Sequence, residues 1–92
     1  MRNELNLVLK EYFRIRLSEI KIEQCYTQGD LARILHMDRR TVAAILRGEH
    51  SMSGLTASLF FAYLTKDPEQ EIKNIMNRFQ EVLEVSGDKK IS

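Results

Sequence analysis

A single cysteine, Cys25, stands in the 92-residue chain, so no internal disulfide can staple it. Tryptophan is absent, proline occurs once and glycine four times, which leaves few places where a regular element must break. No hydrophobic run exceeds the stretch from Leu59 to Leu64, far short of a membrane span, and no membrane partner is expected. Neither sign of charge dominates: 14 Lys and Arg stand against 13 Asp and Glu, for a net charge of +1. That balance excludes a broad positive field as the means of holding nucleic acid. No charged and apolar leader opens the chain, so a cytoplasmic protein beginning at Met1 is expected.

What remains fits one small soluble domain, because a chain of this length buries only about 60 to 65% of its unfolded surface and cannot support two cores. The domain is expected over residues 1–87, with a frayed tail over 88–92. No repeat, low-complexity tract or strand pattern is present, and the fold class expected is all-α.

From Asn3 to Glu23 the residues Leu5, Val8, Leu9, Tyr12, Phe13, Leu17 and Ile20 recur at three- and four-residue steps, which predicts a long amphipathic first helix. Glu4, Lys10, Glu11, Arg14 and Glu19 to Lys21 make its solvated side. A second helix is expected from Gln28 to Leu35, burying Leu31, Ala32, Ile34 and Leu35. A third runs from Arg39 to Leu46 or Arg47, burying Val42, Ile45 and Leu46. Both are too short to stand alone and must pack on their neighbours. Ser51 or Ser53 can cap a fourth helix over Leu55 to Leu64, with Leu59, Phe60, Tyr63 and Leu64 inward. Asp67 and Pro68 start a fifth, expected over 68–86 and stopping near Ser86-Gly87. Its stripe of Ile72, Ile75, Met76, Phe79, Val82 and Leu83 has two readings: closure of this core, or a dimer seam or protein-docking face with Phe79, Val82 and Leu83 as exposed anchors.

The segment from Thr27 to Gly48 carries the functional signal. Thr27 caps one short helix, with Asp30 three residues on, and Asp38 caps the next. Gly48 supplies the left-handed residue that ends it. In such a unit the first helix crosses the DNA backbone and the second enters the major groove by its N-terminal end. Ala32 is the small side chain that a close helix crossing needs, and Met37 plugs the turn. At 100 degrees per residue, Arg40, Ala44 and Arg47 face away from Val42, Ile45 and Leu46, with Ala43 beside them. Arginine can grip O6 and N7 of guanine, worth roughly 1 to 3 kcal/mol of discrimination, and alanine permits close approach. Arg39 could reach a base or a phosphate. Gln28 and the free amides at the head of the second helix point where a phosphate would lie. Gly29 there reflects either close approach of the DNA backbone or a tolerated fault at a helix start.

On Thr27-Gln28, Leu31-Ala32, Thr41-Val42, Ile45 and Gly48 the chain resembles the Xre-type, lambda-repressor-like helix-turn-helix family of bacterial and phage regulators. The match covers about 25 residues, and the flanking helices fit the five-helix plan of that family. The resemblance implies a compact five-helix lambda-repressor-like DNA-binding domain, with the helix-turn-helix at helices 2 and 3. It implies a repressor or activator of transcription, usually a homodimer on a pseudo-palindromic site in double-stranded DNA, nucleoid-associated when bound. By position, Gln28 would bind phosphate, Arg39, Arg40 and Ala44 would face base edges, Thr41 would sit at the groove margin and Arg47 would bind phosphate. Two departures stand out. His36 occupies the turn position where the family has glycine, and the first helix is longer at its N-terminus.

Cys25, His36 and His50 match no local metal-ligand spacing, so no metal or cofactor is expected. No nucleophile or acid and base pair converges in the sequence, and no enzyme is expected. Two other functions stay open: an antitoxin that represses its own operon while holding a toxin through the first or last helix, and a protein-interaction module that keeps the fold without reading DNA.

Overall fold

The computed structural model describes residues 2–91, with side chains from 4 to 84. Its helices are α1 (Arg2–Glu23), α2 (Gln28–Ile34), α3 (Arg39–Leu46), α4 (Gly54–Tyr63) and α5 (Pro68–Ile91), and the described residues form no strand. None of these helices is long and apolar enough to cross a membrane.

Four helices start where the chain offers an oxygen to orphan amides. Thr27 and Asp30 form a reciprocal capping box, with Asp30 N donating to Thr27 Oγ1 at 3.0 Å and Thr27 N to Asp30 Oδ2 at 2.9 Å. Asp38 accepts from Thr41 N at 2.8 Å, Ser53 from Thr56 N at 3.2 Å and Asp67 from Gln70 N at 3.2 Å. Ser53, rather than Ser51, is therefore the cap of α4.

The first three helices end alike. Cys25, His36 and Gly48 take left-handed backbone, with φ of 57°, 54° and 77°. After each, the next amide reaches back five residues: Tyr26 N to Lys21 O, Met37 N to Ala32 O and Glu49 N to Ala44 O, at 3.0, 3.0 and 2.9 Å. The left-handed residue itself donates to Ile22, Arg33 or Ile45, completing the same double turn each time. Only one of the three has glycine. His36, which stands where the resembled family has glycine, takes the left-handed backbone without one, and Cys25 does so with no glycine signal in the sequence.

Leu17, Leu31, Leu35, Val42, Ile45 and Phe60 are fully buried, joined by Phe13, Ile20, Ala32 and Leu64. Phe13 and Phe60 meet edge to face at 5.3 Å. This cluster, with α2, α3, α4 and the second half of α1, is the head of the molecule. Among the described residues, no α5 side chain joins it. Instead α5 lies antiparallel to α1: Glu71 pairs with Arg16, Arg78 with Glu11, and Val82 faces Leu7 and Val8 across a shallow groove. The outer parts of these two helices form an arm, and the molecule measures 49 × 25 × 22 Å.

Several expectations are corrected. Tyr63 points outward, 70% exposed, because Phe60 and Leu64, with Ala57, Leu59 and Phe61 beside them, fill the space that α4 covers. Leu5 is also exposed, since only α5 accompanies the start of α1. On α5, Ile75 is buried and Phe79, Val82 and Leu83 are half-buried, while Ile72 and Met76 are the exposed residues, at 49% and 59%. The expected anchors thus lie on the flank turned toward α1. The backbone of α5 also continues past Gly87 to Ile91, because a glycine within a helix costs only about 1 kcal/mol against alanine and does not by itself end one. The expected tail over 88–92 is thus helical as far as Ile91, and Ser92 lies outside the described residues.

The junction of arm and head holds a polar cluster that the sequence pattern did not reveal. Glu71, 8% exposed, receives Arg16 Nη2 at 2.8 Å and Arg16 Nε at 3.0 Å, together with the hydroxyl of Tyr12. Burial raises the Tyr12 hydroxyl above its usual range, and the bond to Glu71 adds to the shift. The bond to Glu71 likewise raises the Arg16 guanidinium.

Candidate nucleic-acid interface

Two consecutive capped helices place the candidate residues. Leu31, Ala32 and Leu35 of α2 and Val42 and Ile45 of α3 turn inward. Ala32 is 7% exposed, small enough for the packed interior, and Met37 packs on the core beneath the turn as expected. Gln28, Arg39, Arg40 and Arg47 are thereby left exposed, with Thr41, Ala43 and Ala44 half-buried between them.

The charges around the motif fall into two groups. Arg33 is bound to Asp30, and Arg47 makes a two-pronged pair with Glu49, Nε to Oε2 at 2.8 Å and Nη2 to Oε1 at 3.1 Å. The pair raises the Arg47 guanidinium and lowers the Glu49 carboxyl. Arg39 and Arg40 form no ion pair among the described residues. They are the two exposed cations of the unit left to meet an outside anion or an acceptor on a base.

Two sequence expectations change in detail. The Thr41 hydroxyl donates to Asp38 Oδ1 at 2.8 Å, so its proton serves the cap of α3. The bond from the Thr41 amide, followed by that from its hydroxyl, holds the Asp38 carboxyl below its usual range. Arg47 must give up Glu49 before it can hold a phosphate. Glu49 was readable as an acid two residues away, but its bite on Arg47 depends on the left-handed turn at Gly48.

Between the first turns of α2 and α3 lies an open cleft of about 500 Å³, lined by Thr27, Gly29, Asp30, Arg33, Asp38 and Arg39 among others. The Arg39 side chain crosses it: Nη2, Nε and Cζ lie 3.0, 3.2 and 3.4 Å from where a Cβ on Gly29 would stand. Gly29 therefore has a cause within the protein itself. Gly48 has one as well, because the Arg14 side chain lies 3.0 Å from its own missing Cβ.

Fold and surface together define a five-helix all-α domain with one exposed, partly cationic two-helix edge. No protein-family description matches the chain, and no curated protein and no solved structure matches it.

Proposed function

We propose that the protein is a sequence-specific DNA-binding transcriptional regulator of the helix-turn-helix kind, with α3 in the major groove. The observation that carries this reading is the pair of unpaired, exposed arginines on the first turn of α3, beside the low relief of Ala43 and Ala44. A helix end built this way can approach base edges closely and offer guanidinium forks to guanine. Gln28 sits on the same edge and contacts a phosphate in this reading.

With a net charge of only +1, one copy would hold DNA weakly, and we propose that it acts as a homodimer. The arm supports this. The chain exposes 6457 Å², about 900 Å² more than a compact monomer of its mass, close to the roughly 800 Å² that each partner contributes to a standard interface. Ile72 and Met76, exposed and four residues apart, stand one above the other on the outer side of α5, where a second helix would cover them. A second arm laid against it would close a four-helix bundle.

Selection from random duplexes, followed by affinity measurement across salt concentrations, tests the reading. The expected result is an enriched pseudo-palindrome with half-sites about one helical turn apart and a steep loss of affinity with salt. No enriched sequence and no salt dependence would leave a protein-interaction module as the better reading.

A further inference from the structure

We infer that Arg39 is not a base reader but a clamp for a DNA backbone phosphate, and that Gly29 is the residue that allows it. The inference rests on the DNA-binding reading and divides the labour of the two free arginines. They are neighbours in sequence, but Arg39 lies over the first turn of α2 and spans the cleft between the two helices. Arg40 is free of that cleft. In the groove-bound arrangement, α2 runs across the duplex backbone, so a cation resting on α2 faces sugar and phosphate rather than base edges.

The chemistry around the cleft fits an incoming anion. Asp30 is bound to the Thr27 amide and to Arg33, and Asp38 is bound to the amide and hydroxyl of Thr41. Neither carboxylate forms an ion pair with Arg39 among the described residues, so the guanidinium keeps its donors for a phosphate oxygen. A Cβ at position 29 would stand 3.0 Å from Nη2, so the guanidinium would have to give by a few tenths of an ångström and lose its present rest on α2. The sequence spends its poorest helix former after proline at that position. The cost is rational if the glycine keeps Arg39 aligned with the backbone of the duplex.

Gly29→Ala, Arg39→Ala, Arg39→Lys and Arg40→Ala can be compared on a selected duplex and on a random one, across salt concentrations. Arg39→Ala is expected to weaken both duplexes alike by about tenfold and to reduce the salt slope by about one, and Gly29→Ala to weaken both alike by about twofold to threefold. Arg39→Lys should keep most of that slope, because a point charge still meets a phosphate. Gly29→Ala should melt at the same temperature as the parent or higher, which separates its loss of binding from misfolding. Arg40→Ala should relax preference at one base pair. If Arg39→Ala instead relaxes preference at a base pair with the salt slope intact, or Gly29→Ala binds like the parent, the clamp is wrong while DNA recognition stands. If the parent protein binds neither duplex, DNA recognition and the clamp fall together.

Discussion

In the head, six side chains are sealed from solvent and every neighbouring helix contributes to the seal, whereas along the arm α1 and α5 cover one another on one side only. The two regions also treat charge differently. The head keeps its polar atoms at helix ends and on the surface, while the root of the arm buries a carboxylate among Tyr12 and Arg16. The difference teaches that the head can hold its fold by apolar packing alone. The arm relies on a few directional bonds and a thin apolar contact at Val8 and Ile75, and it leaves Ile72 and Met76 exposed.

Truncating the head should have the largest effect. Phe60→Ala removes a fully buried ring that touches Phe13 and Phe61, and is expected to cost about 3 to 5 kcal/mol in urea denaturation. At the root of the arm, Glu71→Gln removes the buried countercharge of Arg16 and leaves it Glu19, and a loss of about 1 to 2 kcal/mol is expected at the same midpoint, moderated by Glu19 and by the solvent that still reaches Arg16. If both variants lose equally, the contrast between packed head and bonded arm fails.

Relief of backbone strain should work in the opposite direction. His36→Gly, at a φ of 54°, is expected to stabilise the head by about 0.5 to 1 kcal/mol, read from its thermal midpoint. A smaller effect is expected in acid. The Asp30 and Asp38 carboxyls are held below their usual values, chiefly by the backbone amides of Thr27 and Thr41. Their contribution is complete above the usual carboxylate value of 3.8 and is lost as pH falls through the lower folded value. Asp38→Asn retains a cap and should flatten part of that acid dependence of helix content by circular dichroism. Least of all should Met76→Lys disturb the monomer, by no more than about 0.5 kcal/mol. Yet sedimentation equilibrium should show fewer dimers, and an unchanged dimer fraction would remove the α5 seam from pairing.

Much of this architecture was readable in the residues. Thr27, Asp38 and Asp67 announced helix starts, and Ser51 or Ser53 a fourth, because a capping side chain acts within three residues of its own position. Gly48 announced an end. Cys25 announced nothing, since only the surrounding fold holds an ordinary residue in that conformation. Periodicity identified the stripe on α5, but it could not say which edge α1 would cover, and so it misassigned Phe79, Val82 and Leu83 against Ile72 and Met76. Glu71 lies 55 residues from Arg16, so no local spacing could join them. At the candidate interface the exposed arginines were legible by helical phase. The capture of Arg47 by Glu49 and the lean of Arg39 onto Gly29 were not, because both depend on the path of the chain between helices.

The buried Glu71 cluster has a consequence in the language of levers. It fixes the angle at which α5 leaves the head, and in the proposed dimer that angle sets the separation of the two α3 helices. Over the roughly 30 Å of α5 that follow Glu71 at about 1.5 Å per residue, a tilt of about 6.5° at this hinge moves the far end by about 3.4 Å, one base-pair step of a duplex. In the proposed DNA-bound dimer, one carboxylate would thus act as the protractor that matches protein symmetry to the spacing of half-sites.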